Sequence, residues 1–200
     1  MTEDIQLYDY QKDMVRQIGE AFEAHQSVMV QMPTGTGKTH VLVSVVKNEE
    51  QRVRNPRVWI IAHRRELVSQ IEDTVRTFGI EPYSEGRTDS RIRVLSIQWL
   101  TRHVEELEKE GCSPGLIIVD EAHHAIADSY QDLFNRNCQA MKLGMTATPC
   151  RMNKKSFTRL FSNLLTSPCT NDFIMRGYLS SYDYVVIGKF SADQQTVNLL

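Results

Sequence analysis

The sequence predicts an α/β fold, a mostly parallel sheet with helices on both faces. Two observations lead there. Short apolar runs without polar alternation, at 28–30, 58–62 and 116–119, have the composition of strands buried on both sides. Stretches with apolar residues at helical spacing separate them, and strand–helix alternation of this kind builds parallel sheets. A third pattern bears on function: the polar and glycine-containing segments fall directly after the strands, where ligands sit in such sheets.

Taken in order, residues 10–22 place Tyr10, Met14, Val15, Ile18, Ala21 and Phe22 on one face of a helix. The strand at 28–30 follows, then the run MPTGTGKT at 32–39, then a helix carrying Val41, Leu42, Val45 and Val46. Residues 47–57 are charged and contain Pro56, and read as a surface connection. After the strand at 58–62 comes HRREL, 63–67, which opens a helix with Leu67, Val68, Ile71, Val75 and Phe78 on one face. Residues 80–91 read as a loop or short strand. A strand at 93–96 leads through SIQWL into a helix bearing Leu100, Val104 and Leu107, which stops at Gly111. The strand at 116–119 runs straight into Asp120-Glu121-Ala122-His123. A helix at 129–137, a strand within 143–149, helical pieces over 157–178 and a last strand at 181–188 complete the expected order. The tail from 190 has no clear period.

Strand, glycine-rich turn and helix around 32–39 form the context of a phosphate-binding loop. Gly35 and Gly37 let the backbone curl, since a Cβ would obstruct the turn and the approaching phosphates. Pro33, Thr34 and Thr36 complete the curl, and its N–H groups and the helix N-terminus attract anions. Lys38 can reach the β- and γ-phosphates, and Thr39 offers a hydroxyl to Mg²⁺. The general pattern begins with glycine, whereas this chain has Met32 there.

Asp120 and Glu121 at a strand end are the chemical partners of such a loop. Asp120 can hold Mg²⁺, usually through water, and Glu121 can orient and deprotonate an attacking water. His123 can link the nucleotide site to a moving element through a hydrogen bond. Gln11 has an amide that can pair with the N6 and N7 edge of adenine.

Gln11, MPTGTGKT, AHRREL, SIQWL, DEAH and TAT, in this order, resemble the first RecA-like motor domain of superfamily 2 helicases. The run AHRRELVSQI and FIMRGYLS, 173–180, are similar to the DNA-repair and restriction branch that includes RadD-type helicases. The resemblance implies an ATP hydrolase with ATP and Mg²⁺ as ligands, Gln11 as the adenine reader, and Thr146 and Thr148 as hydroxyls coupling hydrolysis to movement. It implies that Arg64, Arg65, Ser96 and Gln98 face a nucleic-acid backbone, DNA more than RNA. It also implies a second RecA-like domain supplying the opposite wall of the ATP cleft. Residues 1–188 would be the ATP-binding domain and 189–200 the start of a linker, so 1–200 alone should bind ATP and hydrolyse it slowly. The competing reading is an ATP-driven switch that remodels a complex without unwinding nucleic acid.

Bulk properties set the remaining bounds. The 200 residues carry a net charge of −2, so nucleic-acid binding has to come from local patches. The cysteines Cys112, Cys138, Cys150 and Cys169 fit no paired metal spacing and read as reduced. The polar, acidic start is unlike a signal peptide, and no run reaches membrane-spanning length. A cytoplasmic location, with no membrane partner, is expected.

Overall fold

A computed structural model describes residues 6–83, 91–124, 128–148 and 157–181. Its elements are α1 (Asp9–Ala24), β1 (Ser27–Gln31), α2 (Lys38–Arg52), β2 (Val58–Ala62), α3 (Arg65–Thr77), β3 (Ile92–Ser96), α4 (Ile97–Lys109), β4 (Leu116–Val119), α5 (Asp128–Arg136), β5 (Met141–Thr146), β6 (Asn163–Thr166) and α6 (Thr170–Met175). The strands form one sheet in the order β3-β2-β4-β5-β1-β6, and every pair is parallel.

Side-chain alternation divides the core into two layers. Val28, Val30, Val58, Ile60, Leu116 and Ile118 point to one face, where Met14, Ile18, Val41, Val46, Ile71 and Val75 of α1, α2 and α3 cover them. Met29, Trp59, Ile61, Ile117 and Val119 point to the other, against Leu100 and Val104 of α4 and Tyr130 and Phe134 of α5. Burial on both faces is why these strands lack polar alternation. Because all strands run the same way, every segment that follows one leaves by the same edge. The phosphate loop, HRREL, SIQ, DEAH and TAT thereby meet on one edge of the sheet.

Two expectations are corrected. The surface connection at 47–57 is helix as far as Arg52: α2 continues because charge does not break a helix, and Glu49 anchors it by pairing with Arg52 at 2.8 Å and accepting from Val53 N–H. The helical pieces at 157–178 include a strand, β6, paired along β1 at the sheet edge. Its four residues, Asn-Leu-Leu-Thr, are half-buried or exposed and show no alternation. The strand expected at 181–188 lies, beyond Ser181, outside the described residues, as do Cys150 and the tail.

Candidate nucleotide site

The phosphate loop turns on Gly35 at φ 84° and Gly37 at φ 76°, left-handed conformations that glycine adopts without strain. Helix α2 begins at Lys38, immediately after the turn. Met32, in place of the first glycine, is fully buried and its N–H donates to the Thr146 carbonyl at 2.9 Å. That residue therefore roots the loop in the sheet and leaves the curl to Gly35 and Gly37. Thr36 is buried, and its hydroxyl and its N–H both donate back to the Pro33 carbonyl, at 2.7 and 3.4 Å. Among the described residues, the N–H groups of Gly35, Gly37, Lys38 and Thr39 donate to no carbonyl. Converging N–H groups at a helix N-terminus make a cradle for an anion.

Gln11 lies against this cradle. Its Nε2 donates to the Thr36 carbonyl at 3.0 Å and its Oε1 accepts from Tyr8 N–H at 2.9 Å. The Tyr10 hydroxyl donates to the same Thr36 carbonyl at 3.1 Å. A Cβ on Gly37 would stand 2.3 Å from Gln11 Nε2, so a side chain here would displace the Gln11 amide from the loop, and the positive φ itself favours glycine. In this arrangement the Gln11 amide fixes the loop, leaving one N–H and one oxygen lone pair for a base. Tyr10 had no signal in the sequence beyond its apolar face. Leu179, whose Cδ2 would lie 3.0 Å from a Cβ on Gly35, sits over the loop's other glycine.

Facing the loop is the turn after β4. Lys38 Nζ lies 3.9 Å from Glu121 Oε1. His123 Nδ1 lies 3.2 Å from Glu121 Oε2 and 3.0 Å from Thr146 Oγ1. Thr146 is buried; its single hydroxyl proton goes to the Thr148 carbonyl at 3.0 Å, and Thr148 N–H donates back at 3.1 Å. With that proton committed and the carboxylate able only to accept, the hydrogen on this nitrogen is fixed: Nδ1–H donates to Glu121 and Thr146. Lys38, Glu121, His123, Thr146 and Thr148 thus form a continuous polar line from the phosphate loop to the end of β5.

Asp120 sits beside Glu121, and burial, reinforced by the Glu121 charge, pushes its carboxyl above the usual carboxylate range. Two adjacent carboxylates served by one lysine at 3.9 Å form a site with surplus negative charge. Asp120 and the Thr39 hydroxyl are oxygen donors, the ligand type that a hard cation such as Mg²⁺ takes. Tyr130 of α5 is buried nearby, its phenol driven to a higher pKa by burial and by the Asp120 charge. A cleft lined by Gln31, Pro33, Thr34, Thr148, Thr166 and Cys169 opens beside the loop.

The expected nucleic-acid residues divide. Arg64 and Arg65 are exposed at the start of α3. Gln98 is exposed and its Nε2 donates to the His63 carbonyl at 2.7 Å, tying α4 to the turn after β2. Ser96 is different: it is buried and its hydroxyl accepts from Trp99 N–H at 3.3 Å as the cap of α4. The cap uses Ser96 as an acceptor only.

Residues 4–151 match the family described as "Type III restriction enzyme, res subunit". A 51.5 kDa protein of a Lactococcus phage is 29% identical over 161 residues, which cover 78% of this chain and 32% of the phage protein. The DNA 3'-5' translocase XPB2 of Sulfurisphaera tokodaii is 24% identical, over 78% of this chain and 34% of its own. The chain spans about a third of these curated relatives. Among solved structures, the UvsW helicase of bacteriophage T4 superposes with a TM-score of 0.64 at 18% identity, over 80% of this chain and 60% of that one. The type ISP restriction-modification enzyme LlaGI superposes with a TM-score of 0.71 at 16% identity, over 86% and 21%. These superpositions establish the RecA-like fold, and with the family match covering most of its length, the chain belongs to the family described as "Type III restriction enzyme, res subunit".

Proposed function

We propose that the chain is the ATP-binding part of a cytoplasmic motor that hydrolyses ATP to move along or unwind nucleic acid, DNA in preference to RNA. The carrying observation is the line Lys38–Glu121–His123–Thr146–Thr148, which joins the phosphate loop to the next strand end. Lys38 and the loop N–H groups hold the β- and γ-phosphates. Glu121 orients the attacking water and takes its proton, with His123 Nδ1–H holding one carboxylate oxygen in place. Gln11 reads adenine with its remaining donor and acceptor. Asp120 and Thr39 hold Mg²⁺, which when bound neutralises charge on the phosphates. When Glu121 engages the attacking water, its grip on His123 changes, and Thr146 and Thr148 carry that change to the strand-facing edge.

Arg64, Arg65 and Gln98 meet the nucleic-acid backbone on this edge, and phosphate contacts of this kind fix position without reading sequence. A second RecA-like domain, reached through a linker from about 189, closes the cleft. The DNA preference rests on a relative whose name specifies DNA, the translocase of S. tokodaii. Lys38→Ala tests the reading: equilibrium binding should show ATP affinity reduced at least tenfold with the fold intact by circular dichroism. Unchanged ATP affinity would remove the phosphate-loop assignment.

A further inference from the structure

Resting on the nucleic-acid motor reading, we infer that Trp99 is a stacking platform for an unpaired base, so that this edge engages single-stranded DNA through bases as well as phosphates. The apolar stripe that seats α4 is Ile97, Leu100, Val104 and Leu107, all buried. Trp99 lies off that stripe and is 40% exposed, a large apolar surface left in water. It is nonetheless packed on one face. Its N–H donates to Ser96 Oγ, and His103 stacks on the indole with ring centroids 4.2 Å apart and planes 9° from parallel. The His103 ring is pinned in turn, Nδ1 lying 2.8 Å from the Trp99 carbonyl; a carbonyl only accepts, so Nδ1 carries the hydrogen. One face of the indole is thereby covered by a fixed imidazole, and the residue meets solvent with its orientation set in advance.

The surroundings specify the occupant. Ala62 and Ser96 are paired in register at the ends of β2 and β3, so the segments leaving them run side by side. The Gln98–His63 hydrogen bond at 2.7 Å joins the two. Arg64 and Arg65 are exposed on one segment and Arg102, one turn beyond Trp99, on the other. Exposed guanidinium groups on the two segments that flank an exposed aromatic side chain suit a strand that presents phosphates and unstacked bases together. Base–aromatic stacking is sequence-tolerant, as a translocating motor requires.

The chain has two tryptophans, and the other, Trp59, is fully buried, so a change in indole emission on binding reports Trp99. The experiment titrates the protein with oligothymidylate, with an abasic strand of equal length and with duplex DNA. Anisotropy of a dye on the DNA reports binding independently. Oligothymidylate should quench the emission, while the abasic strand should bind through phosphates without quenching. Trp99→Ala should weaken oligothymidylate binding by roughly five- to a hundredfold, toward the abasic level. Trp99→Phe, which keeps a π face, should restore most of it. Anisotropy showing tight oligothymidylate binding without quenching, and unaffected by Trp99→Ala, would overturn the stacking role and leave the motor reading standing. No binding of any strand would overturn both. Trp99-dependent self-association at the same concentrations would assign the platform to a second copy of this chain instead.

Discussion

The phosphate loop and the turn after β4 both bend the backbone sharply at the end of a parallel strand, and they do so with opposite choices of residue. The loop uses glycine at φ 84° and 76°. The β4 turn puts Glu121 at φ 49°, left-handed for a residue with a side chain. Such a conformation costs about 1–3 kcal/mol and persists only where the surroundings enforce it. Here Lys38 and His123 hold the carboxylate from two sides, at 3.9 and 3.2 Å. The difference follows the chemistry. At Gly35 and Gly37 the loop works through its backbone, so no side chain is needed at those two positions. The turn works through a side chain, so glycine is excluded there and the strain is retained.

The comparison breaks most severely at Gly37. Gly37→Ala forces a Cβ to within 2.3 Å of the Gln11 amide, which is anchored at both ends, and places alanine at φ 76°. We expect ATP affinity to fall by roughly a hundredfold, about 2.7 kcal/mol, measured by isothermal titration. Wild-type affinity in this variant would mean that the curl is not the binding element.

A smaller effect sharpens the contrast at Glu121. Alanine ordinarily outranks glycine for stability, since glycine loses more freedom on folding. At φ 49° the order should reverse, making Glu121→Gly more stable than Glu121→Ala by about 1 kcal/mol, or roughly 2–4 °C in Tm for a chain of this size. A higher Tm for the alanine variant would mean that the turn stores no strain.

Much of this site was legible because its residues are chemically constrained and contiguous. MPTGTGKT and DEAH sit at the ends of fully apolar runs, and such runs mark buried strands that all exit by one edge. The positive φ of Glu121 was not legible, because no glycine or asparagine marks it. The capping role of Ser96 was not legible, because a serine before a helix looks the same whether its hydroxyl caps or points outward. Strand β6 was hidden by its position: an edge strand of four half-exposed residues needs no alternation. The overrun of α2 to Arg52 was hidden by charge, which signals solvent exposure and says little about helix ending.

The smallest expected effect concerns Asp120. Its carboxyl is raised above the unfolded value by burial and by Glu121, so the folded state holds its proton more tightly. The stability this proton provides is present at low pH and is lost as pH rises through the raised value. Asp120→Asn should therefore increase Tm at pH 8, by less than the roughly 2–4 °C expected between the Glu121 variants, and by less again at pH 4 in metal-free buffer. Equal shifts at both pH values would show that the buried charge carries no penalty.

The central claim, that Glu121 acts on water and leaves ATP binding to the loop, is tested most directly by Glu121→Gln. ATP–Mg²⁺ affinity and single-turnover hydrolysis would be measured with protein in excess over nucleotide. The account predicts near-normal affinity with hydrolysis slowed by roughly 10²–10⁴, the usual contribution of a positioned general base. Hydrolysis at the wild-type rate, or lost affinity with normal turnover of the ATP that still binds, would contradict it.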